Sequence, residues 1–153
     1  MALRAEYGAD VTEEVALQQR QLELRTLLDL AMLDAEVAYW DADLATDRVR
    51  SVNRHWHTML GYGESEVADD QSAWAALVHP DDLPRRTAAW NAHLEGSAPV
   101  YAVDLRMRHK AGHWVWLQVR GQVVARDAQG RALRMIGTRM DISTRKQAEH
   151  QLE

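Results

Sequence analysis

The residues that could carry chemistry fall into a few small groups. His55 and His57 are two apart, so on a helix they point about 200° from each other and cannot share one ion. His109 and His113 flank the Lys110-Ala111-Gly112 turn and could approach, but no adjacent carboxylate completes a ligand set. Asp81 and Asp82 follow His79-Pro80, where proline and acids suit the first turn of a helix better than a catalytic carboxylate pair. There is no glycine-rich phosphate loop and no Ser-His-Asp set. The chain has no cysteine, which removes a thiolate zinc site, a cysteine nucleophile and a disulfide framework. These residues lead us to expect no enzyme and no metal site.

What remains is aromatic. The chain has six tryptophans and no phenylalanine, so its largest apolar volumes are Trp40, Trp56, Trp74, Trp90, Trp114 and Trp116. Indoles of this kind fill cores, and they also line ligand pockets. The net charge is −5, with no basic tract of the kind that contacts nucleic acid. No apolar run approaches the roughly 20 residues that span a bilayer, and the first ten residues lack the apolar stretch of a signal peptide. A cytoplasmic location, with no membrane contact by this segment, is expected. With 153 residues, 46% hydrophobic and 27% charged, the composition suits one soluble domain with appendages.

The elements that must position these residues follow from periodicity. Residues 12–36 read as a helix with Thr12 as N-cap and Glu13 and Glu14 in its first turn. Its apolar positions, among them Val15, Leu22, Leu24 and Leu28, predict a pairing surface for a second copy, and we expect a parallel homodimer. Two strands follow over 37–44 and 48–52, joined by a short polar turn. A helix over 53–60 ends at Gly61-Tyr62-Gly63, short helical turns cover 64–69 and 72–78, and a longer helix starts at His79-Pro80 and runs to Leu94. Three alternating segments at 101–108, 114–124 and 133–142 then predict an antiparallel meander. From Ser143 the chain turns polar and helical. Asp141, Ser143 and Thr144 are candidate caps, and Thr144 with Gln147 fits a capping box.

This order, together with YWDADLATDRVRSVN (39–53), MLGY (59–62), LVHPDD (77–82), the long stretch 105–138 and MDISTRKQAE (140–149), resembles a PAS domain with an HPDD box and a PAC-type second half. The resemblance covers nearly all of 37–149. It implies an α+β fold: a five-stranded antiparallel sheet with short helices on one face, plus flanking N- and C-terminal helices. The division expected is 1–36 for the N-terminal amphipathic helix, 37–142 for the PAS domain and 143–153 for the start of a linker helix to an effector.

The resemblance also implies a sensory module of a bacterial signalling protein. Such a module pairs with a second copy and relays a signal to a C-terminal histidine kinase or diguanylate cyclase. A cofactor- or small-ligand-binding sensor is the alternative. Without cysteine, the flavin-adduct photochemistry of the light-sensing members is excluded. FAD stays open through Trp90, with Asn53 as a second family feature, and it stands before haem, whose one candidate ligand is His93. The implied pocket candidates are Trp56, Trp74, Trp90, Tyr101, Val103, Leu105 and Ile136. Trp114 and Trp116 share one face of their strand, inner or outer. The implied relay is Asp141, Ile142 and Ser143.

Overall fold

The computed structural model describes residues 2–152. The chain divides into two compact units, Met1–Ala35 and Glu36–Glu153. The first is one helix, α1 (Ala2–Ala35). It begins ten residues before the expected cap at Thr12, because residues 2–11 contain nothing that stops a helix. Gly8 alone costs about 1 kcal/mol against alanine, which neighbouring alanines, Leu3, Arg4 and Glu6 offset. Glu36 follows with φ 55°, the left-handed conformation that closes helices. At about 100° per residue, Val15 and Leu22 fall on one face of α1 and Leu24 and Leu28 on nearly the opposite one. All four are at least half exposed. They form two stripes, not the single one expected.

The second unit is an antiparallel sheet of five strands: β1 (Val37–Asp43), β2 (Arg48–Val52), β3 (Tyr101–Arg108), β4 (Trp114–Arg126) and β5 (Ala132–Asp141). Their order is β2-β1-β5-β4-β3. Three of the four pairings are between sequence neighbours. The fourth joins β1 to β5, with Val37 opposite Met140 and Asp43 opposite Arg134. A fork from Arg134 to Asp41, at 2.9 and 2.6 Å, clamps this pair on the outer face. On the inner face Trp40 lies across Gly121 and Gly137, which are partners in β4 and β5. A Cβ on Gly137 would stand 2.0 Å from the Arg120 carbonyl oxygen and 2.4 Å from the Trp40 ring, so only glycine fits.

Between β2 and β3 lie α2 (Arg54–Thr58), α3 (Gln71–Ala75), a 3-10 turn (Pro80–Asp82) and α4 (Leu83–Leu94). The predicted helical turn over 64–69 is a non-helical loop. It ends in Asp70, whose carboxylate accepts the Ala73 N–H at 2.7 Å and so caps α3. Trp56, Leu60, Trp74 and Val78 from this connection pack on Trp40, Leu105, Leu117 and Met135 of the sheet to form the core. The helices therefore sit on one face. Trp116 and the 41% exposed Trp114 point from the other. A last helix, α5 (Ser143–Leu152), leaves β5 directly.

Candidate functional site

Period two in the strands sends every second side chain inward. On β3 these are Tyr101, Val103, Leu105 and Met107, all buried. Under α2, α3 and α4 they leave a cavity of about 50 Å³. Of the expected pocket residues, Trp56, Trp74, Trp90, Tyr101 and Leu105 line it. Val103 is buried in the adjoining core without lining it. Ile136 is 43% exposed on the outer face, which corrects its assignment. The inward positions of β5 are Met135, Gly137 and Arg139, and a one-residue error of parity moves every side chain to the other face. Reading the apolar Ile136 as inward concealed the arginine.

Arg139 dominates the site. It is 1% exposed and lies at the cavity wall. Its guanidinium carbon stands 3.6 Å from the centroid of the Trp56 ring and 5.3 Å from that of Trp74. Nη2 donates to the Trp56 carbonyl oxygen. Nε and Nη1 meet only the thioethers of Met59 and Met107, at 3.3 and 3.6 Å, and sulfur is a weak acceptor. Burial with no compensating charge pulls its pKa down to about 9, so it remains a cation at neutral pH. The lining holds a second arginine, the half-buried Arg86, and, among the described residues, neither Asp nor Glu. The indole N–H groups of Trp56 and Trp74 are buried with no hydrogen-bond acceptor.

The second buried charge is built differently. Asp82, also 1% exposed, accepts from Arg106 three times: from the backbone N–H at 2.8 Å, from Nε at 3.0 Å and from Nη2 at 2.9 Å. Burial opposes its charge, yet these bonds outweigh it and hold the carboxyl below its ordinary value. His79 Nδ1 accepts the Asp81 N–H at 3.0 Å, and the His79 N–H donates to the Arg106 carbonyl at 2.8 Å. His79-Pro80-Asp81-Asp82 thus ties the start of α4 to β3.

The model of the PAS fold matches residues 49–139, which include both buried charges and all of the cavity lining but Trp40. The chain belongs to the PAS family. Among solved structures it is similar to a sensory box histidine kinase/response regulator from Burkholderia thailandensis. The identity there is 34%, the TM-score 0.71, and the match covers 82% of this chain and 91% of that one. The N-terminal domain of a diguanylate cyclase with PAS/PAC sensor from Marinobacter aquaeolei shares the fold at 24% identity and TM-score 0.63, covering 72% of this chain and 98% of that one. A curated relative, hybrid signal transduction histidine kinase A of Dictyostelium discoideum, is 31% identical over 74 residues, 47% of this chain. The match spans 3% of that protein's length. The chain is therefore a PAS domain, similar to the one carried by a sensory box histidine kinase.

Several PAS features resolve into structural roles. Asn53 accepts the Tyr39 N–H at 3.1 Å and donates to the Val37 carbonyl at 3.0 Å, closing the β1–β2 hairpin. His93 is 5% exposed. Its Nδ1 pairs with the Ala98 carbonyl and its Nε2 with the Val123 N–H, each at 2.9 Å. A carbonyl can only accept and an N–H only donate, so the proton is on Nδ1 and the Nε2 lone pair is used. That leaves none for a haem iron. Trp90 packs edge-on against Tyr101 at 5.1 Å. A tricyclic isoalloxazine does not fit the present space, which is far below the roughly 300–1,000 Å³ of pockets for ligands of drug size. His109 and His113 stack at 4.3 Å, and no cluster of three metal-ligating groups occurs among the described residues. No helix of the described residues is long and apolar enough to cross a membrane.

At the exit, Asp141 accepts the Ser143 N–H at 2.8 Å and caps α5. Thr144 lies inside that helix rather than at its cap. Ile142 is buried, and its N–H donates to the Trp116 carbonyl at 2.9 Å. One turn on, Arg145 pairs with Asp104 of β3 at 2.8 Å, and Lys146 lies 4.8 Å from the Trp116 ring centroid. The first turn of α5 is thus pinned to the outer face of β3 and β4.

Proposed function

We propose that this PAS domain is a regulatory relay. It pairs with a second copy through α1 and passes changes around its cavity to a histidine kinase or diguanylate cyclase domain that follows α5. The observation that carries the reading is the path along β5. Arg139 faces the cavity, and two residues later Asp141 caps α5. A shift of β5 by one contact therefore alters the cap, the Ile142–Trp116 bond and the pinning of Arg145 and Lys146 together. The coupling asked of these groups is small, since a tenfold bias between two states needs about 1.4 kcal/mol.

Two measurements test the two halves of this reading. Asp141→Ala in the intact parent protein leaves the domain folded and uncouples output from stimulus, and a normal response in that variant sinks the relay. Sedimentation of the chain shows a dimer that removal of residues 1–30 abolishes. A dimer that survives this deletion assigns the pairing to another surface.

A further inference from the structure

A buried cation at a cavity wall, with no counter-charge among the described residues, calls for an explanation. Arg139 is aimed at Trp56 and Trp74 rather than at any carboxylate, and desolvation alone governs its ionisation. An unpaired buried charge costs several kcal/mol. An uncharged side chain such as methionine, shorter but apolar, would occupy the inner part of the same space without that cost. The neighbouring donors point the same way. The buried N–H groups of Trp56 and Trp74 have no acceptor, and the second charged group in the wall is another arginine, Arg86. These donors and cations thus belong to residues that line a space with no Asp or Glu among the described residues of its wall.

Resting on the sensory reading above, we propose that the cavity of this PAS domain binds a small monocarboxylate, whose carboxylate pairs with the Arg139 guanidinium and takes hydrogen bonds from the indole N–H groups of Trp56 and Trp74. The planar fork of arginine matches a carboxylate. Apart from Gln71, Arg86 and the Tyr101 hydroxyl the rest of the wall is apolar, with Val78, Leu105 and Val119 beside the indoles. That favours an anion with a short apolar body over inorganic phosphate, whose second charge and remaining oxygens would go unsatisfied there. At about 50 Å³ the space limits the body to a few heavy atoms unless α3 or α4 moves outward. That movement is itself the signal the relay would carry.

The test is thermal unfolding of the whole chain, with intrinsic tryptophan fluorescence as a second readout. The probes are acetate, isobutyrate and benzoate, with isobutyramide, benzamide and inorganic phosphate as controls. At least one carboxylate raises the melting temperature in a concentration-dependent way and perturbs the indole emission, and its amide and phosphate do so at least tenfold more weakly. Arg139→Met has a higher melting temperature without ligand and has lost the response to carboxylate. Should that variant misfold, Arg139→Gln, which keeps polar hydrogen-bonding capacity, shows the same tenfold or greater loss of affinity. Absence of a response to all three carboxylates in the unmodified chain overturns the proposal. So does an equal response to an amide, a stronger response to phosphate, or carboxylate binding that survives at Arg139→Gln. Binding without any change of output in the intact parent upholds the site and overturns the relay. Normal, Asp141-dependent output with no carboxylate binding does the reverse.

Discussion

Asp82 and Arg139 are buried to the same degree, at 1% exposure each, yet the fold treats them in opposite ways. Asp82 meets three N–H donors of Arg106, with the Arg85 guanidinium 3.5 Å away. Arg139 meets two aromatic faces, two thioethers and one carbonyl. A buried ion with its partner is a fastening, and removing half of it is costly. A buried ion without one is a cost the fold carries for another reason, and its removal relieves the structure. The HPDD segment is thus a joint between α4 and β3, whereas Arg139 lies at the cavity wall and fastens no second charge.

The contrast can be broken most severely at Asp82. Asp82→Ala leaves Arg106 half-buried and unpaired and lowers stability by about 3–5 kcal/mol, read as a fall in the urea midpoint. The same measurement on Arg139→Met gives the opposite sign, a gain of about 1–4 kcal/mol, because removing the uncompensated charge outweighs the contacts that the shorter methionine gives up. A loss of stability in Arg139→Met would erase the distinction between the two charges.

The pH dependence separates them without mutating Asp82. Its carboxyl is lowered in the fold, so its contribution is fully present above its unfolded value of about 4 and is lost as pH falls through the lower folded value. Arg139 is lowered by burial from its ordinary value to about 9, and here the sign reverses. Between those values the unfolded chain holds a proton that the folded chain has released, so stability rises with pH. Urea midpoints of the unmodified chain, taken relative to Arg139→Met, climb on the alkaline side and stay level on the acid side. The smallest effect is expected at Arg106→Lys, which keeps the charge and loses the planar fork. It costs about 1 kcal/mol, and a cost as large as that of Asp82→Ala would mean that geometry outweighs charge at this joint.

Most of the second unit was legible from periodicity. The hairpins β1–β2, β3–β4 and β4–β5 are local, and their turns and alternation are written in adjacent residues. The cap at Asp141 and the start of α4 were readable for the same reason. Three things in the chain were not, the first being the loop over 64–69, whose residues read as helical. The extent of α1 was misjudged because a good capping residue, Thr12, stands inside a stretch that never needed a cap. The parity of β5 is hidden because Ile136 and Met140 face outward, while the inner positions beyond Met135 hold glycine and arginine. Gly137 is there to admit Trp40, which comes from the other end of the chain. Nothing local in β5 announces that.

The sequence by itself determined the element order, the meander, the exit helix, the absence of thiol chemistry and the family resemblance, since each rests on short-range pattern or composition. Tertiary structure alone decided which face of β5 is inner, that β1 pairs with β5, and that Asp82 has a partner while Arg139 has none. Burial and counter-charge are properties of neighbours distant in the chain. Arg139 and Trp56 are 83 residues apart, and only the closed sheet brings them together.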